Sequence, residues 1–319
     1  NNTAIGHEAL STEDAHGTNV AVGYQTLKTL NAGANGSNVA VGYQTGLAMT
    51  TGIENTLMGA LAGDALTNAD RNTAFGYSAL TVDTLGSKST ALGSIALANQ
   101  NFTTATDSHN TAIGYAAGQE VTTGTENTLV GSLAGDAITT GNNNVAVGHL
   151  ALSTNVLSHF NTAIGNDALF AHNQGTAIES FNTAVGFNTA AELTTGVRNT
   201  LIGAKAGDAL TDADFNTSIG FESLSGDTLG SYSTALGYQA LASQNFTTAT
   251  NSHNTAVGMQ SMAALSTGID NTAVGSGSGQ SVTTATKCTL IGAQAGDAIT
   301  TGGFNTLIGQ NSGSAINTA

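Results

Sequence analysis

The sequence predicts an all-β fold, a parallel β-solenoid (β-roll) of about 18 coils, on three observations. A pentapeptide of the form Asn-Thr-Ala-Ile-Gly returns along the whole chain, usually after 17 residues. Every copy closes on a glycine, from Gly6 to Gly309. Inside each copy, β-branched and small residues alternate with a period of two, as they do in a strand. A 17-residue period is too short for a helix-turn-helix repeat, so each coil reads as a short strand, a turn, a second short strand and a return.

The copies begin at Asn2, Asn19, Asn38 and Asn55 and continue to Asn271, Cys288 and Asn305. Three intervals are 21 residues, over 93–114, 165–186 and 237–258, and recur every 72 residues, and one near the start, Gly23 to Gly42, is 19. The segment from Asn101 to Thr106 returns unchanged from Asn245 to Thr250. The chain therefore reads as one repeat solenoid over 1–319, with a four-coil, 72-residue higher-order unit made by duplication.

Each element of the coil has a sequence reason. The second and fourth positions are Thr or Val and an aliphatic residue such as Ile5, Val22 or Val41, and are expected to face the core, with Asn, Ala and Gly on the other side. The ninth and twelfth positions trade volume. Coils with Leu10, Leu80, Leu152 or Leu224 carry Glu13, Asp83, Asn155 or Asp227 three residues later, whereas coils with Gly46, Gly63, Gly135 or Gly207 carry Met49, Leu66, Ile138 or Leu210. The Asn that opens the motif, represented by Asn19, Asn55, Asn127, Asn199 and Asn271, is expected to form a stacked amide ladder, with Cys288 as a small buried substitute.

Composition narrows the function. With 21 acidic against 6 basic residues and a net charge of −15, the chain offers no basic stripe for phosphates, so nucleic acid is not an expected partner. One cysteine provides no disulfide framework, and no apolar run is long enough for a membrane-spanning segment. The chain opens in mid-repeat without Met, so anchoring, export or capping segments are expected outside these residues.

The motif Asn2-Thr3-Ala4-Ile5-Gly6, followed two residues later by Ala9-Leu10, resembles the head repeat of trimeric autotransporter adhesins, and similar repeats occur in phage tail fibres. The resemblance covers essentially the whole chain. It implies a left-handed parallel roll in which three chains lie side by side in a fibre, at a cell or virion surface. Separately, the small residues Ala4, Ala21, Ala40, Ala74 and Ala112 would permit close approach of another chain, or simply suit a tight turn.

Candidate chemistry is thin. Asp64, Asp136, Asp208 and Asp297 recur at one coil position, but two or more coils apart, too far to share a calcium ion. His7, His16, His149, His159 and His172 lack ligand spacing, and His109 and His253 occupy equivalent places in duplicated coils. No catalytic, cofactor or metal residue is assigned and no enzyme activity is expected.

Two aromatic columns remain. Phe160, Phe181, Arg198, Phe215 and Tyr232 stand just before the motif, and Tyr24, Tyr43, Tyr77 and Phe221 just after its glycine. They would stack along the roll, pack between chains, or contact a glycan or receptor. Phe102 and Phe246, in the long coils, are the expected protruding contacts. The expected function is a structural or adhesive extracellular fibre segment. The alternatives are a solenoid polymerising end to end, with a polysaccharide-cleaving tailspike or an ice-binding solenoid as minor readings.

Overall fold

The computed structural model describes residues 1–14 and 17–316 as an all-β parallel solenoid of about 18 coils with a period near 17 residues. Two compact units are resolved by their internal contacts. The first comprises Asn1–Phe160 with Gly175–Ile178, and the second comprises Asn161–Gln174 with the described residues from Glu179 onward.

In the first unit, the strands are β1 (Thr3–Ile5), β2 (Val20–Val22), β3 (Val39–Val41), β4 (Thr56–Met58), β5 (Thr73–Phe75), β6 (Gly86–Ser87), β7 (Thr90–Leu92), β8 (Thr106–Asp107), β9 (Thr111–Ile113), β10 (Thr128–Val130) and β11 (Val145–Val147). The second holds β12 (Thr162–Ile164), β13 (Thr183–Val185), β14 (Thr200–Ile202), β15 (Thr217–Ile219), β16 (Gly230–Ser231), β17 (Thr234–Leu236), β18 (Thr250–Asn251), β19 (Thr255–Val257), β20 (Thr272–Val274), β21 (Thr289–Ile291) and β22 (Thr306–Ile308). Motif strands pair in parallel without slippage, Thr56 with Thr73 and Met58 with Phe75, and likewise Thr183 with Thr200 and Val185 with Ile202.

A second strand in every coil is not what forms. Among the described residues, it exists only where two of the long coils, over 93–114 and 237–258, meet the coil before them, β6 pairing with β8 and β16 with β18. Elsewhere the chain turns through left-handed residues, such as Gln25 (φ 54°) and Leu27 (φ 48°), which no extended strand accommodates. Coil-to-coil hydrogen bonding continues all the same: the Gln25 N–H donates to the His7 carbonyl at 2.9 Å and that of Leu27 to Thr45 at 3.0 Å.

The glycine after each strand is fixed by stacking. Gly59 has φ 131°, and a Cβ there would run into the Gly76 carbonyl of the next coil.

The inward and outward faces are the reverse of the expectation. The third motif position points inward, and Ala21, Ala40, Leu57, Ala74 and Leu129 are wholly buried. The fourth points outward, leaving Phe75 48% and Leu92 41% exposed. A roll this thin has no interior wide enough for a β-branched pair as well as the Asn ladder and a Leu from the return, so the small residues go inside.

The volume exchange at the ninth and twelfth positions is visible in the packing. A Cβ on Gly63 would lie 2.8 Å from Leu66 Cδ1 and 3.1 Å from Leu57 Cδ2. The third motif position therefore joins the exchange: Leu57 and Leu129 stand in coils whose ninth residue is Gly.

Candidate functional site

The outward strand face is the most regular surface of the molecule. Its first column is Thr in 15 of 18 coils, with Val20, Val39 and Val145 as the exceptions, and its second is apolar in every coil. The face thus carries no charge and no carboxamide. Successive strands lie about 4.8 Å apart, so within each unit the two columns form an aligned ladder of methyl groups, hydroxyls and aliphatic side chains. Contiguous apolar surface of this kind marks an interaction site more often than it marks ordinary solvent-facing structure. The Ala column does not supply such a face, because Ala21, Ala40, Ala74 and Ala112 are fully buried in their own chain.

Beside this face run the aromatic columns. Phe160, Phe181, Phe215 and Tyr232 are 40–44% exposed, and Arg198 is exposed too. All five sit at positive φ, between 51° and 62°, which is costly for bulky side chains. In the second unit the rings face one another: Phe215 and Tyr232 stack at 4.9 Å with 9° between planes, and the Arg198 guanidinium lies 5.4 Å from the Phe215 centroid. The other column behaves alike, with His7, Tyr24 and Tyr43 stacked at 5.3 and 5.4 Å. Faces engaged in this way are not free for a sugar ring, so these stacked rings present mainly their edges outward.

Phe102 and Phe246 do not protrude. They are 5% and 6% exposed, each folded over the core beside an aspartate. The Asp83 Oδ1 accepts the N–H groups of Phe102 at 3.1 Å and of Gly86 at 3.0 Å, which draws the inserted residues inward. Asp227 holds Phe246 and Gly230 the same way.

These aspartates belong to a buried polar cluster that the sequence reading missed. Gln100 Nε2 donates to Asp83 Oδ2 at 2.6 Å and to Ser89 Oγ at 2.7 Å, while its Oε1 accepts from Asn110 Nδ2 at 2.9 Å. Gln244 repeats this with Asp227, Ser233 and Asn254. Burial raises the Asp83 pKa above the ordinary carboxylate value, opposed by its hydrogen bonds, first that from Gln100. The signal was available in the 72-residue recurrence of polar residues at the twelfth position, at 83, 155 and 227 and again at 100, 172 and 244. His172, in this series, is fully buried with Nε2 3.1 Å from Ser180 Oγ, and burial lowers its pKa to about 4.

The asparagine ladder runs through the same interior. Asn19 Oδ1 accepts the Asn38 N–H at 3.0 Å, and Asn127, Asn199 and Asn271 accept those of Asn144, Asn216 and Cys288 at 2.9–3.0 Å. Amides of the ladder also reach a carbonyl in the return of the following coil, as Asn55 Nδ2 does with Ala69 and Asn127 Nδ2 with Gly141, both at 2.8 Å, whereas Asn19 Nδ2 is buried without a partner among the described residues. Cys288, 1% exposed, fills one rung.

The turn aspartates serve neighbouring coils. Asp64 accepts the Thr81 hydroxyl at 2.5 Å and Asp136 that of Ser153 at 2.7 Å. Among the described residues, no three His, Cys, Asp or Glu side chains are grouped to hold a metal ion, and no helix is long and apolar enough to cross a membrane. His16 lies outside the described residues.

The geometry thus defines a parallel β-solenoid with an uncharged Thr-and-aliphatic face, flanked by stacked rings. No protein-family model and no curated protein matches the chain.

Proposed function

We propose that the chain is a structural and adhesive segment of an extracellular fibre, in which copies of the chain lie side by side through the outward strand face. The observation that carries this reading is the second column of that face, apolar in all 18 coils and everywhere exposed or half-buried, never fully buried, in a single chain. A second copy with the same repeat presents a matching column at the same spacing, so one contact recurs along the coils. The resemblance to trimeric adhesin heads adds three chains, left-handed coiling and a place at a cell or virion surface. The role is mechanical reach, since each coil draws its stability from its neighbours.

The Thr column also suits an ordered-water or ice surface, now that its hydroxyls point outward. Against that reading stands the uneven height of the adjacent column, where Val41, Met58, Phe75 and Leu92 follow one another. Protein surfaces interdigitate with such relief, whereas a crystal plane does not.

Absolute mass by light scattering across a dilution series tests the reading. A concentration-independent mass of three chains supports it. A single-chain mass removes the side-by-side fibre and leaves the ice reading to a thermal-hysteresis measurement, and mass growing without limit replaces it with end-to-end polymerisation.

A further inference from the structure

Two residues after each motif glycine, every coil but one carries a side chain, held at φ between 50° and 59°. In the second unit this column and its neighbours form a hydrogen-bonded relay of amides. Gln239 Nε2 donates to Glu222 Oε2 at 2.9 Å, Gln260 Nε2 to Gln239 Oε1 at 3.2 Å, and Gln280 Nε2 to Gln260 Oε1 at 3.3 Å. The next rung is missing, because the residue there is Gly277. Beyond the gap stands Gln294, whose carboxamide has no protein partner among the described residues.

The backbone at Gly277 favours glycine but admits a side chain. Its φ of 65° is close to that of side-chain-bearing residues at the same position, such as Gln260 at 55° and Gln294 at 56°. A Cβ there would meet only Gln280 Oε1 at 3.5 Å and Gln294 Cγ at 3.6 Å, which is ordinary contact. What its absence does create is a cavity of about 310 Å³, bounded by Met259, Gln260, Gln280 and Gln294, with Ser276 and Ala293 where other coils carry rings. That volume lies at the lower end of small-ligand sites.

We propose that this notch is a binding site for one unit of a neutral saccharide. The lining holds carboxamides and a thioether but no charged side chain, so nothing in it compensates a ligand charge. Gln280 presents an acceptor at the end of a relay anchored on a carboxylate, and Gln294 presents both donors and an acceptor. Vicinal hydroxyls, which donate and accept together, match that pair, and the exposed Met259 side chain gives the ring's C–H face an apolar contact. The site lies outside the outward strand face, so it stands independently of side-by-side assembly.

Saturation-transfer NMR on the full chain with methyl glycosides of glucose, galactose, mannose and N-acetylglucosamine tests the assignment. At least one neutral glycoside is expected to receive saturation, and Gly277→Gln, which restores the missing rung, is expected to weaken binding by about tenfold or more, roughly the loss of one good polar contact. Gln294→Ala, a substitution at the rim, is expected to do the same with the unfolding temperature unchanged. Absence of transfer from the whole panel overturns the proposal, as does transfer that both variants leave intact, or binding confined to charged sugars such as a glucuronide.

Discussion

Asn38 and Asn55 hold the same place in successive coils, and one oxygen joins them: Asn38 Oδ1 accepts both the backbone N–H of Asn55, at 2.9 Å, and its Nδ2, at 3.2 Å. The rung is wholly buried, so each amide stands between two coils with no water to replace it. The coil period is therefore enforced by a polar group as well as by packing.

Cys288 breaks that series, since a thiol has no carboxamide oxygen to offer and reaches the Gly302 carbonyl only at 3.5 Å. Cys288→Asn is expected to stabilise the second unit by about 1 kcal/mol, the net value of an added buried hydrogen bond, read as a higher unfolding temperature. Asn127→Ala removes bonds to Asn110, Gly141 and Asn144 and is expected to cost about 2–3 kcal/mol.

Glycines of the motif and of the notch are expected to answer substitution by different amounts. Gly131→Ala sets a methyl against the Gly148 backbone, with the carbonyl carbon 2.6 Å away and no flexible side chain to yield, and is expected to cost more than about 3 kcal/mol. Gly277→Ala meets only ordinary contacts and is expected to cost about 1–2 kcal/mol, the left-handed backbone alone. Equal losses at both positions, in parallel thermal melts, would remove the distinction between a glycine required by stacking and one that leaves space.

What the sequence disclosed follows from the same stacking. Gly6 to Gly309 and the Asn rungs recur because each meets its own copy one coil away, so a single steric or hydrogen-bonding demand is repeated in the string itself. The direction of the faces was not legible in this way. Val22 and Ala21 obey the alternation of a strand, but the usual assignment of the bulkier residue to the core fails in a roll whose interior also has to hold Asn19 and Leu27. Phe102 was misplaced for a related reason: an insertion normally reads as a protruding loop, and only the buried Asp83 carboxylate shows why this one turns inward. The notch at Gly277 is marked in sequence only by a missing side chain, the weakest of signals in a glycine-rich chain.

His172 makes the second unit acid-sensitive. Its pKa falls from 6.5 in the unfolded chain to about 4 in the folded one, so folding favours the neutral ring. Its contribution is complete above pH 6.5, declines as pH falls through the window down to about 4, and reaches about 3 kcal/mol at its limit. His172→Gln, which places there the residue found at the equivalent positions 100 and 244, is expected to flatten this slope in urea melts taken between pH 7 and 4. An unchanged slope would assign the acid sensitivity to other groups.

A single charge on the outward face distinguishes assembly from coil stability. Ile202, 37% exposed on β14, contributes nothing to the interior, where Leu201 of the same strand is buried. Ile202→Glu is expected to lower the mass measured by light scattering towards one chain while circular dichroism stays that of the parent. Leu201→Glu, one residue away, is expected to unfold the coil, because it buries an unpaired carboxylate.

The left-handed aromatics give the last test. Phe215, at φ 57°, stacks on Tyr232 at 4.9 Å and underlies Arg198 at 5.4 Å. Exposed contacts of these two kinds contribute about 0.5–1.5 and 0.5–1 kcal/mol, while the left-handed backbone costs an L-residue roughly 1–2 kcal/mol. Phe215→Gly removes both contacts and the strain together, so the stability change is expected to stay within about 1 kcal/mol. Phe215→Val loses the ring and keeps the strain, made worse by branching at Cβ, and is expected to cost about 2 kcal/mol. Two variants lacking the same ring would thus differ through the backbone alone, and equal losses would mean that the rings, rather than the left-handed turn, set the energetics of this column.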